Sequence, residues 1–152
     1  MKRIGVISDT HGLLRTEAAA ALRGADLIIH AGDIGKEEIL EELRQIAPVI
    51  AVRGNCDRGY WAKAYADTAD VRIEAIPIFI LHDLKQLDMK PEERGYKIVV
   101  SGHSHKPKEE KKDGVLYLNP GSAGPRRFNL PISVALLELY EETIKVEFLE
   151  II

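Results

Sequence analysis

Ile4-Gly5-Val6-Ile7-Ser8-Asp9-Thr10-His11 opens the chain as a short apolar run that stops in polar, chemically useful side chains. A run this brief, apolar throughout and bounded by polar residues, is the pattern of a parallel strand buried on both faces. Beyond it, residues 13–23 are alanine-rich with helical spacing, and Gly24 follows as a stop. Residues 26–30 read as a second strand, with Gly32-Asp33 just past its end. Residues 36–46 read as a helix and residues 48–52 as a third strand running into Arg53-Gly54-Asn55. This βαβαβ alternation predicts parallel strands joined by right-handed crossovers. Asp9, His11, Asp33 and Asn55 then all fall past C-terminal strand ends, where open α/β sheets place their ligand sites.

The second half has a different character. Residues 70–76 and 78–82 are strand-like on either side of Pro77, and residues 97–101 form another buried strand leading into Gly102-His103. Residues 106–112, 115–119, 132–140 and 143–151 follow, the last two joined by Glu141-Glu142 as a tight hairpin. Strands without intervening helices predict a second sheet that is antiparallel or mixed. The chain shows no repeat, linker or low-complexity tract, so residues 1–152 are expected to form one domain.

Composition narrows the class. A single cysteine excludes an internal disulfide framework. No stretch reaches the roughly 20 apolar residues that span a bilayer. Residues 4–8 are too short for the apolar core of a signal peptide, so a cytoplasmic protein is expected. The net charge of −3 carries no basic stripe, which gives no reason to expect nucleic acid as an electrostatic partner. Lys106, Lys108, Lys111 and Lys112 are interleaved with Glu109, Glu110 and Asp113, the pattern of a solvated hairpin.

Four of the five histidines lie in a set of short motifs that together also hold aspartates and an asparagine. These are Asp9-Thr10-His11, Gly32-Asp33, Gly54-Asn55-Cys56-Asp57, Leu81-His82 and Gly102-His103-Ser104-His105. Mixed carboxylate, imidazole and amide donors suit divalent ions of intermediate hardness, with Mn expected first and Ni, Fe or Zn as alternatives, rather than an all-oxygen Mg or Ca cage. His30 lies inside an apolar strand and outside this pattern, and is expected to be a hydrogen-bonded structural histidine or one that braces a ligand.

The order of these motifs resembles the calcineurin-like metallophosphoesterase superfamily, and most closely its small bacterial and archaeal phosphodiesterases, which share the Gly54-Asn55-Cys56-Asp57 form and the Asn119-Pro120-Gly121-Ser122 turn. The resemblance covers nearly the whole chain. It implies two stacked mixed sheets flanked by helices, a four-layer αββα sandwich. It implies that Asp9, His11 and His105 hold one metal ion, that Asn55, His82 and His103 hold the other, and that Asp33 bridges them. It further implies a phosphodiesterase in which hydroxide bridged between the two ions attacks a small phosphate diester, with Asp9, Asp33, Asn55 and His103 central to catalysis. Asn55, Cys56 and Asp57 are the expected substrate contacts.

Two departures bear on chemistry. His82 is followed by Asp83-Leu84 where many relatives have Gly-His, and Cys56 stands where phosphomonoesterase relatives have a histidine able to protonate the leaving oxygen. A nucleophilic Cys56 is unnecessary when the attacking group is a hydroxide held by metal. Arg53, Arg126 and Arg127 could clamp phosphate oxygens or form surface ion pairs. Tyr60, Trp61 and Tyr65 could line a substrate rim, a dimer contact or the core. Three alternatives stay open: a small phosphomonoesterase, a non-catalytic metal-binding scaffold of the same fold, as in the small subunit of the retromer coat, and a homo-oligomer of any of these. A Rossmann-type nucleotide domain fails because Ser8-Asp9-Thr10-His11-Gly12 lacks a G-x-G-x-x-G loop. Nucleic acid ends remain open as a substrate.

Overall fold

The computed structural model describes all 152 residues. Ten strands and two α-helices run in the order β1 (Lys2–Ile7), α1 (Thr16–Ala21), β2 (Leu27–His30), α2 (Glu37–Arg44), β3 (Val49–Ala51), β4 (Thr68–Ile73), β5 (Ile76–Leu81), β6 (Ile98–Val100), β7 (Lys108–Lys112), β8 (Val115–Asn119), β9 (Ser133–Tyr140) and β10 (Thr143–Glu150). One sheet has the order β10-β9-β1-β2-β3, the other β4-β5-β6-β8-β7. Both are mixed: β1, β2 and β3 are parallel with antiparallel β9 and β10 beside them, and β5, β6 and β8 are parallel between antiparallel β4 and β7.

The two faces of the first sheet follow the period of two along each strand. Ile4, Val6 and Ile29 point between the sheets, where they meet Ile78, Ile80, Ile98 and Val100 of the second. Ile7 and Ile28 point the other way, onto Leu22 after α1 and Leu40 and Leu43 of α2. A strand buried on both faces has no polar alternation to display, which is why β1 reads as an unbroken apolar run. Gly5 admits α1 closely, because a Cβ there would stand 2.6 Å from a Leu22 methyl. Truncating Ile29, fully buried between the sheets, to alanine would cost about 2–5 kcal/mol.

On the second sheet the outer layer is thinner than the expected helices. Short 3-10 turns at Leu84–Gln86 and Pro91–Arg94 do the covering, with Leu87 packed on Val99 and Leu81 and Tyr96 tilted against Phe79 at 5.2 Å. Three other local readings shift. The first helix spans only Thr16–Ala21, because the preceding residues form the loop that carries Arg15 to the Gly124 carbonyl. Strand β7 begins at Lys108, after Pro107, instead of at residue 106. Pro77 lies inside β5, and the hairpin turn is Glu74-Ala75. Proline is accommodated there because its carbonyl already accepts from Lys97 N–H, and pairing of β5 with β6 starts only at Ile78. No helix is long and apolar enough to cross a membrane.

Candidate metal centre

The parallel strands deliver the motif residues to one end of the sandwich. β1 ends before Asp9 and His11, β2 before Asp33, β3 before Asn55, β5 just before His82 and β6 before His103 and His105. Asp9, His11, Asp33, His103 and His105 all adopt positive φ, from 47° to 72°. For non-glycine residues this costs on the order of 1–3 kcal/mol each and persists only where surroundings enforce it. Here the turn lets side chains that would alternate across a strand converge.

Enforcement comes from the loops gripping one another. Asp9 N–H donates to the Gly32 carbonyl at 3.0 Å and His11 N–H to Asp33 O at 2.9 Å. Gly54 and Gly102 are needed for space: a Cβ at Gly54 would collide with Asp33 Oδ1, and one at Gly102 with Ser8 Oγ. Asn119 Nδ2 donates to Gly102 O and Ser104 Oγ while its Oδ1 accepts from Gly121 N–H, tying the last motif to the turn after β8.

The carboxylates are presented with one oxygen held and one aimed inward. Asp9 Oδ2 accepts from Ser8 Oγ at 2.7 Å and His103 N–H at 3.0 Å. Its buried Oδ1 has no hydrogen-bond partner and lies 3.4 Å from His105 Nε2 and 3.7 Å from His11 Nε2. Asp33 Oδ1 accepts from Cys56 N–H at 2.9 Å. Asp33 Oδ2 sits 3.2 Å from His82 Nε2 and 3.7 Å from His11 Nε2, between the two imidazoles. His82 Nδ1–H donates to the Ala31 carbonyl at 2.8 Å, which leaves the Nε2 lone pair facing the site.

Five buried side-chain polar atoms in the chain lack a partner, and four belong here: Asp9 Oδ1, His11 Nε2, His82 Nε2 and His105 Nδ1. Such orphans cost free energy unless something satisfies them. Ligand atoms of Asp9, His11 and His105 lie within 4.8 Å of one another, as do those of Asp33, His82 and His103 and those of His11, Asp33 and Cys56. This donor set fits divalent cations.

Electrostatics point the same way. Burial raises the proton affinity of both carboxylates, but His82 and Cys56 N–H hold Asp33 well below the usual carboxylate range, and His11, His82 and Ser8 bring Asp9 down as well. Burial opposes a charge on His82, yet the adjacent Asp33 carboxylate and the charge of Asp9 raise its pKa. Burial lowers that of His105, partly offset by Asp9.

Other predicted residues are placed differently. Asn55 is exposed, with Nδ2 3.6 Å from Cys56 Sγ, and lines a cleft of about 290 Å³ with Arg53, His82 and Asp83. His103 borders a neighbouring cleft of about 520 Å³ with Lys85, Tyr117 and Asn119; its Nε2 lies 3.7 Å from Asp83 Oδ2. Asp57, expected to touch substrate, is instead buried, and its carboxylate accepts from Gly54, Ile34 and Gly35 N–H at 2.8, 3.1 and 3.0 Å. It latches the second and third motif loops together. Arg53 pairs with Asp67 at 3.1 Å. Trp61 and Tyr65 pack edge to face beside the helix-side core, whereas Tyr60 is exposed.

His30 is fully buried and bridges motifs without entering the ligand set. Its Nδ1 accepts from Gly32 N–H, so Nε2–H donates to Thr10 Oγ1, which donates onward to Ile34 O. Burial lowers its pKa to about 4, so it is neutral at ordinary pH. Ser8, Thr10 and Asn119 escaped sequence reasoning as bracing residues. Only Asn119, ahead of Pro-Gly, carries a local turn signal.

Comparison with known proteins agrees with this geometry. Residues 1–142 match the calcineurin-like phosphoesterase superfamily domain. A probable metallophosphoesterase of Methanothermobacter thermautotrophicus is 35% identical over 158 residues, covering 96% of this chain and 91% of that one. A phosphodiesterase of Methanocaldococcus jannaschii is 29% identical over 168 residues, 99% and 98% of the two chains. Among solved structures, Vps29 of Entamoeba histolytica complexed with zinc superposes with a TM-score of 0.78 at 22% identity, over 98% of this chain and 99% of that one, a likeness of fold alone. With its two-sheet scaffold, its clustered ligand residues and relatives matched along nearly their whole length, the chain belongs to the calcineurin-like phosphoesterase superfamily.

Proposed function

We propose that this phosphoesterase is a phosphodiesterase that uses two divalent ions, Mn in preference to Ni, Fe or Zn, on small phosphate diesters. The observation that carries the reading is the convergence of the buried, unpartnered His11 Nε2 and His82 Nε2 on the inward oxygens of Asp9 and Asp33. Asp9, His11 and His105 would hold one ion, and His82, His103 and Asn55 the other. Asp33 would serve both, since its Oδ2 lies between His11 and His82. Bound at such a site, divalent ions lower the pKa of a coordinated water and neutralise charge on phosphoryl oxygens.

The chain's own groups prepare the site. The Ala31 carbonyl fixes the His82 tautomer, and Cys56 N–H and Ser8 Oγ keep the carboxylates ionised and oriented. Asn55 and His103, which line the two adjoining clefts, would meet a phosphate entering from the open side. The fold likeness to Vps29 raises a scaffold as the rival, but a partner-binding surface has no need of buried carboxylates facing a cluster of imidazoles. We further propose that residues 1–152 form one domain and that it acts in the cytoplasm.

The test is a panel assay. Chelated protein reconstituted with Mn, Ni, Fe or Zn should hydrolyse bis(p-nitrophenyl) phosphate faster than p-nitrophenyl phosphate, and chelated protein should hydrolyse neither. Preference for the monoester would overturn the diester reading, and full activity in chelator would overturn metal dependence.

A further inference from the structure

Asp83 follows His82 directly and stands where the two clefts beside the ligand cluster meet. It lines the cleft of about 290 Å³ together with Asn55 and His82, and the cleft of about 520 Å³ together with His103 and Tyr117. No other residue lines both. Its two oxygens have separate duties. Oδ1 accepts from Lys85 N–H at 3.0 Å and so caps the turn Leu84–Gln86, which fixes the side chain. Oδ2 makes no hydrogen bond within the chain and faces His103 Nε2 at 3.7 Å, beyond hydrogen-bond reach. A half-buried carboxylate is thereby held at the rim of the cluster formed by Asp33, His82 and His103.

The cations that line the two clefts do little to cancel this charge. Arg53 is committed to Asp67 at 3.1 Å and Lys108 to Glu110 at 2.8 Å. Lys85 is exposed, where solvent and salt screen it. A phosphate that reaches Asn55 or His103 from either cleft therefore comes against Asp83. A diester phosphate carries one negative charge, whereas a monoester at pH 8 carries about two. In a partly exposed cleft, each unit of charge brought beside a fixed carboxylate is opposed by about tenfold in affinity.

We propose that Asp83 is a specificity-determining residue that turns the site toward monoanionic phosphate diesters by repelling the second charge of a monoester. The inference deepens the phosphodiesterase reading and rests on it. Selection of this kind works by penalising the wrong ligand more than the right one. The shape agrees with the charge, because a diester has two arms to place and a cleft lies on each side of Asp83.

The experiment compares Mn-loaded wild type, Asp83→Asn and Asp83→Glu at pH 8 on bis(p-nitrophenyl) phosphate and p-nitrophenyl phosphate, which share a leaving group. The asparagine keeps an oxygen for Lys85 N–H and loses the charge. It should raise kcat/KM for both esters, about tenfold more for the monoester. Asp83→Glu keeps the charge and should hold the diester-to-monoester ratio near that of wild type. Calorimetric titration with methyl phosphate and dimethyl phosphate gives a readout independent of turnover, and Asp83→Asn should tighten methyl phosphate about tenfold more than dimethyl phosphate. Metal content should be equal in all three proteins by elemental analysis. The preference of the wild type tests the phosphodiesterase reading, and the shift between wild type and Asp83→Asn tests the residue, so each can fail alone. A wild type that hydrolyses neither ester, with the shift in binding present, would sink the catalytic reading and keep the role of Asp83. A rate ratio and a relative affinity both unmoved in Asp83→Asn overturn the proposal. Equal slowing of both esters with loss of metal overturns it too, because Asp83 would then be a brace for His103.

Discussion

Replacing Asp57 separates a structural latch from a substrate contact. The carboxylate accepts from Ile34, Gly35 and Gly54 N–H at 3.1, 3.0 and 2.8 Å. Asp57→Ala strips all three donors of their acceptor. The Ile34 bond is buried and the other two only part-buried, so one donor bears the full penalty of about 1–3 kcal/mol and water relieves the others in part. The sum is about 3–5 kcal/mol, and in a chain of this size each kcal/mol moves Tm by roughly 2–4 °C, so Tm should fall by about 10 °C. Asp57→Asn keeps the shape but turns an amide N–H₂ toward one donor, and should lose about half as much. Because the latch joins the loops bearing Asp33 and Asn55, metal affinity should fall with stability. KM for a diester at saturating metal should stay nearly unchanged. Differential scanning calorimetry, metal titration and steady-state kinetics on the three proteins check this together. Unchanged Tm and metal affinity with a raised KM would refute the latch and return Asp57 to the substrate.

Three further outcomes are expected. His30 has a folded pKa of about 4, below the roughly 6.5 of an unfolded chain. Its contribution is therefore complete above pH 6.5 and is lost as pH falls through 4, amounting to about 3 kcal/mol. Urea unfolding of chelated wild type and His30→Asn should show a gap that closes by that amount on acidification, and parallel pH profiles would contradict it. Asp33→Ala should lose activity and most of one metal equivalent by elemental analysis, and two full equivalents would remove the bridging role. With Cys56 carrying only a weak donor, hydrolysis rates should depend steeply on leaving-group pKa. Cys56→His should flatten that slope, because general-acid catalysis contributes about 10²–10⁴-fold where protonation is needed. Equal slopes at equal metal content would show that position 56 faces away from the leaving oxygen.

The parallel half of the fold was legible because β1 and β2 are buried on both faces and end in polar motifs, so apolar runs and their abrupt stops coincide with strand ends. The motif residues could be grouped for the same reason: parallel strands deliver their C-terminal ends to one edge. What stayed hidden depended on tertiary contacts. Pro77 reads as a strand break, yet a proline nitrogen needs no partner where β5 has not yet met β6. The first helix reads longer than Thr16–Ala21 because its flanking residues keep helical spacing while Arg15 is drawn to the Gly124 carbonyl. Asp57 looks like a substrate contact because acidic residues near ligands read as functional, and only the three backbone N–H groups converging on it reveal a latch. The thin outer layer on the second sheet left no signal, since short 3-10 turns have no sustained period.

Titrating the chelated protein with Mn while following binding heat and bis(p-nitrophenyl) phosphate hydrolysis in parallel puts the two-ion site to the most direct test. Two equivalents should bind per chain, with activity rising as the second site fills and both signals lost in Asp9→Asn. Saturation at one equivalent with full activity, or hydrolysis before any metal is added, would contradict the account.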